Sequence, residues 1–182
     1  MKLFSSSCAV VALFASAASA DVVITLTNFG AYGNQFAEAI TPGRLSGTLV
    51  GATIDVDRTE STWFTRANDL TLYVDAAPLG NNGLLQLGGS ANYSAAQRYS
   101  WPNGGGIFST SSTGRVNLAT GINMNAHQDV SFWLGNGNSS AIAYGKWSGT
   151  ITLHGVDLVV APSPGALALL VVAGFAARRR RA

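Results

Sequence analysis

Asp69-Leu70-Thr71-Leu72-Tyr73-Val74-Asp75 is the stretch on which the fold turns. Leu70, Leu72 and Val74 fall on one parity and Thr71 and Tyr73 on the other, the period-two pattern of a half-buried strand. The same alternation recurs outward in both directions. Thr48 to Asp57 sets Val50, Ala52, Ile54 and Val56 against Gly51, Thr53, Asp55 and Asp57, and Asp21 to Thr27 opens with Val22, Val23, Ile24 and Leu26. Downstream, Gly83 to Gly89 carries Leu85 and Leu87, and Gly114 to Ala119 carries Val116 and Leu118. Asp129 to Leu134 turns Val130, Phe132 and Leu134 inward opposite Ser131 and Trp133, and Trp147 to Leu153 closes the set with Ile151 and Leu153.

Strands this short, bounded by Gly, Asn and Pro, predict an all-β fold: an antiparallel β-sandwich of jelly-roll or Greek-key type. A closed barrel is the second architecture compatible with the pattern. A 3.6-residue period is confined to one turn near Gln35 to Ile40. The remaining connections, Asn28 to Pro42, Ser90 to Ser112 and Gly135 to Gly145, read as loops rich in glycine and asparagine.

Two segments outside this pattern read as addresses. Met1 and Lys2 precede a largely apolar run to Ala15, and Ala18-Ser19-Ala20 is a small-x-small cleavage site before Asp21. That is the layout of a secretory signal peptide over residues 1–20, with an additional C-terminal helix expected at the far end of the chain. Cys8, the only cysteine, lies inside the leader, too early for a lipoprotein acylation site. The mature chain would therefore use neither disulfides nor thiolates. Residues 21–158 are expected to form the sandwich domain, and 159–182 an anchoring tail.

The tail reads Pro162-Ser163-Pro164-Gly165, an apolar run from Ala166 to Ala177, then Arg178, Arg179, Arg180 and Arg181. An arginine cluster after an apolar segment favours the cytoplasmic face of a membrane. The run holds twelve residues, short of the ~20 that a full span needs. It reaches that length only by counting back through Val159 and the prolines. Pro-x-Pro, an apolar run and terminal arginines resemble the PEP-CTERM sorting tail of bacterial exported proteins. Ser163 stands where that family has glutamate. The resemblance implies passage through the export machinery, a temporary membrane anchor, and recognition by an exosortase-type transpeptidase. It implies a location at the cell surface or outside the cell, often with exopolysaccharide, and transfers no chemistry.

The addresses also carry the basic charge. Of the formal +2, Lys2 and the tail arginines supply five positive charges; residues 21–161 hold five Arg and one Lys against seven Asp and two Glu, a net −3. No basic stripe remains, so a nucleic-acid partner is excluded from the reading. Within the middle, Trp63 to Asp75 and Gly145-Lys-Trp-Ser-Gly-Thr-Ile-Thr-Leu153 are similar to strands of the jelly-roll P domain of proprotein convertases, which implies a jelly roll and allows calcium.

For chemistry, the middle offers no zinc-type histidine spacing, no nucleophile elbow and no phosphate loop. His127 and His154 read as ordinary loop and strand residues. No cofactor is expected beyond calcium, for which Asp55, Asp57 and Asp69 are the candidate ligands if their strands are neighbours. Solvated carboxylates on outward strand faces are the plainer reading. Tyr73 and Trp133, on the polar parity, and Trp101, beside a loop, are the candidate ligand-binding aromatics, because an exposed ring can stack on a sugar. Trp63, Tyr93 and Tyr99 sit near them in sequence. Trp147 is expected in the core. The expected function is a non-catalytic surface or matrix protein, with a carbohydrate-binding module as the alternative and a hydrolase as the third reading.

Overall fold

The computed structural model describes residues 21–62 and 64–159. The cleavage residues Ala18 and Ala20, Trp63, the Pro162-Ser163-Pro164 motif, the 166–177 run and Arg178 to Arg181 lie outside the described residues. The described chain is all-β. In order it forms β1 (Val22–Tyr32), β2 (Phe36–Ile40), β3 (Leu45–Ser61), β4 (Leu70–Asp75), β5 (Gly83–Leu87), β6 (Ala95–Tyr99), β7 (Ser111–Asn123), β8 (Ser131–Asn136) and β9 (Tyr144–Leu158). Single 3-10 turns occupy Ala67–Asp69 and Met124–Ala126. Among the described residues no helix is long and apolar enough to cross a membrane.

The strands make two sheets, one ordered β1-β9-β3-β7 and the other β2-β8-β4-β5-β6. Every pairing between neighbouring strands is antiparallel except β5 with β6, which is parallel. One core serves both sheets. Leu70, Leu72, Val74 and Phe132 from the second sheet share a cluster with Ile54, Val56, Ile151 and Leu153 from the first. Each such side chain contributes about 1.5–3 kcal/mol when fully buried.

All seven segments read as strands from the sequence lie in strands. The two others, β2 and β6, fall in stretches expected to be loops, and the helical turn anticipated near Gln35 is β2. Both are five-residue strands at the two edges of one sheet. Phe-Ala-Glu-Ala-Ile and Ala-Ala-Gln-Arg-Tyr are poor strand formers by composition, and pairing with β8 and β5 overrides that preference.

One parity is corrected. Val50 does not join Ala52, Ile54 and Val56 in the core but is 43% exposed, while Leu49 is fully buried. The register of β3 shifts between Leu49 and Gly51 against β7, and between Gly47 and Gly51 against β9. A bulge there exchanges the faces of the residues before it.

β4 shows a different departure. Its alternation is as read, yet all six residues are buried on both faces. Residues 88–94, the crossover between the parallel β5 and β6, lie over the face opposite the core. Gln86, itself fully buried, holds that segment: its Nε2 donates to Gly88 O (3.0 Å) and Ala91 O (2.7 Å), and its Oε1 accepts from Tyr93 N (3.0 Å). Gly88 has φ +80, and a Cβ there would run into Leu70 O and the Trp101 indole, so the turn requires glycine.

Candidate functional site

The aromatics expected on an exposed face are mostly interior. Tyr73 is fully buried, with ring centroids 6.4 Å from Phe36 and 6.2 Å from Tyr93; Phe36 and Tyr93 meet edge-on at 5.5 Å. Its hydroxyl donates to Gly80 O at 3.0 Å. Burial, and then the Asp75 carboxylate, push the Tyr73 phenol above its ordinary pKa. Tyr93 is pushed up to about 12, chiefly by burial and secondarily by the charge of Asp69. Trp101 is buried with its indole donating to Leu70 O at 2.8 Å, and Trp133 is half-buried with its indole donating to Asp75 O at 3.0 Å. Tyr73, Trp133 and Trp101 therefore form no sugar platform. The parity of Tyr73 was sound, but the 88–94 crossover covers its face, with Tyr93 against its ring; Trp101, read beside a loop, belongs to the core.

The carboxylates are not brought together either. Asp55 and Asp57 lie exposed on β3. Asp69 is buried at the end of a 3-10 turn, where its Oδ2 accepts from Arg66 N (2.8 Å) and Asn138 Nδ2 (3.2 Å). Its oxygen is spent bracing two loops. Among the described residues no three His, Cys, Asp or Glu side chains are placed to hold a metal ion.

The arrangement that sequence reading missed lies on the outer face of the four-stranded sheet. Thr53 Oγ1 is 2.7 Å from His154 Nε2, and His154 Nδ1 is 2.7 Å from Asp21 Oδ2. Three segments build it. Thr53 sits on β3 opposite Thr152 of β9, His154 follows two residues later on the same face, and Asp21 immediately precedes Val22, which pairs with Leu153. With Asp21 ionised, Nδ1–H donates to it, while Nε2 and the Thr53 hydroxyl share the second hydrogen bond. The order hydroxyl, imidazole, carboxylate is that of a nucleophilic triad.

Its setting is not that of one. β3 pairs through Thr53 with β7 on one side and β9 on the other, so the ladder uses the backbone N–H groups that an oxyanion would need. The His154 side chain is only 13% exposed, whereas that of Asp21 is 47% exposed. What the trio does physically is fasten the residue before β1 to the middle of the sheet. The only sequence signal for it was the position of Asp21, next to a strand that must find a partner.

The clasp has a definite pH signature. The hydrogen bond from His154 holds the Asp21 carboxyl below its ordinary 3.8; slight desolvation opposes this, and the charges of His154 and Arg115 assist. A carboxyl depressed on folding adds stability above its unfolded pKa, and that stability is lost as the pH falls through the folded value. In thermal melts, the difference between the native chain and Asp21→Ala is expected to be fully present above the ordinary carboxyl pKa of 3.8 and to shrink as the pH falls below it. A difference unchanged across that window would dissociate Asp21 from the clasp.

The chain matches no family model, no curated protein and no solved structure.

Proposed function

We propose that this chain is the exported precursor of a non-catalytic β-sandwich module of jelly-roll or Greek-key type. In this reading residues 1–20 direct export and are removed, 21–158 form the module, and 159–182 anchor it in a membrane until an exosortase-like enzyme acts. The module is displayed at the cell surface or in the extracellular matrix, in association with exopolysaccharide.

The observation that carries this reading is the place of Asp21. It is the first residue after the small-x-small site, and its carboxylate is engaged by His154 at 2.7 Å. Asp21, the residue that follows the expected cleavage site, is thus held by the sheet. Near the other expected boundary, Val159 N donates to Arg44 O at 2.9 Å, three residues before Pro162.

Intact mass of the protein from native cells, divided into membrane and released fractions, tests the proposal. A released species beginning at Asp21 and ending near Pro162 is the expected result. A species that keeps Met1 overturns export, and one that retains Arg178 to Arg181 in every fraction overturns processing of the tail.

A further inference from the structure

β3 and β9 run side by side from the Leu45–Leu158 pair to the Ser61–Gly145 pair, roughly 45 Å at about 3.3 Å per residue. Asp21 and Val159 mark one end. The exposed aromatic side chains mark the other. Tyr32 is 49% exposed, Phe64 74% and Phe108 88%. Tyr32 pairs with Tyr144 at the start of β9, Phe64 follows the last residue of β3, and Phe108 lies in the loop that leads into β7 beside Asp57. Near Asp21 and Val159 the large exposed apolar residues are Val23, Val50, Leu158 and Val159, whereas Ile107 and Ile142 are exposed beside the aromatics of the other end.

The far end is built rather than merely exposed. Tyr32 and Tyr144 stand with ring centroids 5.1 Å apart and planes at 53°, and the Tyr144 ring crosses Gly30 so closely that a Cβ there would strike its hydroxyl. Phe64 has φ 57, a left-handed conformation that a bulky residue rarely adopts. The loop holds it there: Thr62 N donates to Tyr144 O (2.9 Å), Thr65 N to Thr62 O (3.2 Å), and the Arg58 guanidinium to Thr65 O. Asn103 Nδ2 fixes the Phe108 loop by donating to Thr113 O at 2.8 Å.

Charge at this end balances. Lys146 is paired with Glu60 at 2.8 Å, and the two arginines, Arg58 and Arg66, are matched in number by Asp57 and Asp69. An anionic polymer or lipid headgroup would find no surplus of cations, whereas ring faces set among Ser, Asn and Gly suit the C–H faces and hydroxyls of sugars.

We propose that the end carrying Tyr32, Tyr144, Phe64 and Phe108 binds a neutral polysaccharide strand. The inference names the partner of the matrix module proposed above and rests on that reading for its orientation, with the anchor on one side and the aromatics presented on the other.

Affinity electrophoresis of the full chain in mild detergent tests it, using native gels cast with β-glucan, galactomannan or dextran, or with anionic alginate. Retardation by at least one neutral polymer is expected. Tyr32→Ala and Tyr144→Ala should each weaken it about five- to tenfold, while Val23→Ala, at the opposite end, should leave it unchanged. Phe108→Ser touches so exposed a side chain that its melting temperature should match the native chain, and it should also bind more weakly. No retardation in any neutral gel overturns the proposal, as does equal retardation of all variants. It is likewise overturned if Phe108→Ser abolishes vesicle binding or self-association and leaves the gels unaltered. Loss of polysaccharide binding with a correctly trimmed released species from native cells would remove the ligand and keep export; binding, with Met1 retained by the protein recovered from native cells, would do the reverse.

Discussion

Trp147→Ala is expected to destabilise the fold by about 3–5 kcal/mol, the largest effect of any single truncation considered. Trp147 is fully buried on β9, the strand that lies between β1 and β3 and pairs with both. Its ring lies so close to Gly145 that a Cβ there would strike it, and its indole donates to Ala67 O at 3.0 Å. Truncation opens a cavity between the sheets and leaves that carbonyl without the indole. Trp147→Phe separates the two costs, since it restores most of the ring and loses only the hydrogen bond, about 1 kcal/mol. Urea unfolding midpoints measure both. Equal losses for Ala and Phe would show that the hydrogen bond, not the volume, dominates.

Asn136→Leu should cost about 2–3 kcal/mol although it preserves volume. Asn136 is fully buried at the end of β8. Its Nδ2 donates to Ala31 O (3.2 Å) on β1 and to Ala143 O (2.9 Å), and its Oδ1 accepts from Asn138 N (3.0 Å). A strand of one sheet is thereby tied by a polar side chain to a strand of the other. Leucine fills the space but leaves buried partners of the amide without it, and an unmade buried hydrogen bond costs more than a made one contributes. Thermal melts give the size. A rise in amide exchange at Asn138 beyond that of β8 itself would locate the loss, and unchanged exchange there would argue against the tie.

The strands that form the core were legible because their apolar residues alternate: β4, β8 and the second half of β3 show their inward faces directly. β2 and β6 were not legible, since an edge strand of helix-favouring residues is strand only by virtue of its neighbour. Tyr73 illustrates a separate limit. Its parity was right, but whether the face it occupies meets water depends on where residues 88–94 travel, and periodicity within one strand carries no such information. Val50 adds the third case, a bulge that inverts parity without any mark in the local pattern. The Asp21–His154–Thr53 clasp joins the first described residue to one near the end of the last strand, a pairing set by sheet order alone.

The pairing of β1 with β9 has a temporal side. A chain is made, and is threaded through any export channel, from its N-terminus onward. Val22 finds its register partner at Leu153, and β1 has no other neighbour in its sheet. The first strand to emerge must therefore wait, unpaired, for almost the whole domain to follow. Contacts this distant in sequence form slowly, so the four-stranded sheet closes late, once β9 is available to pair with β1.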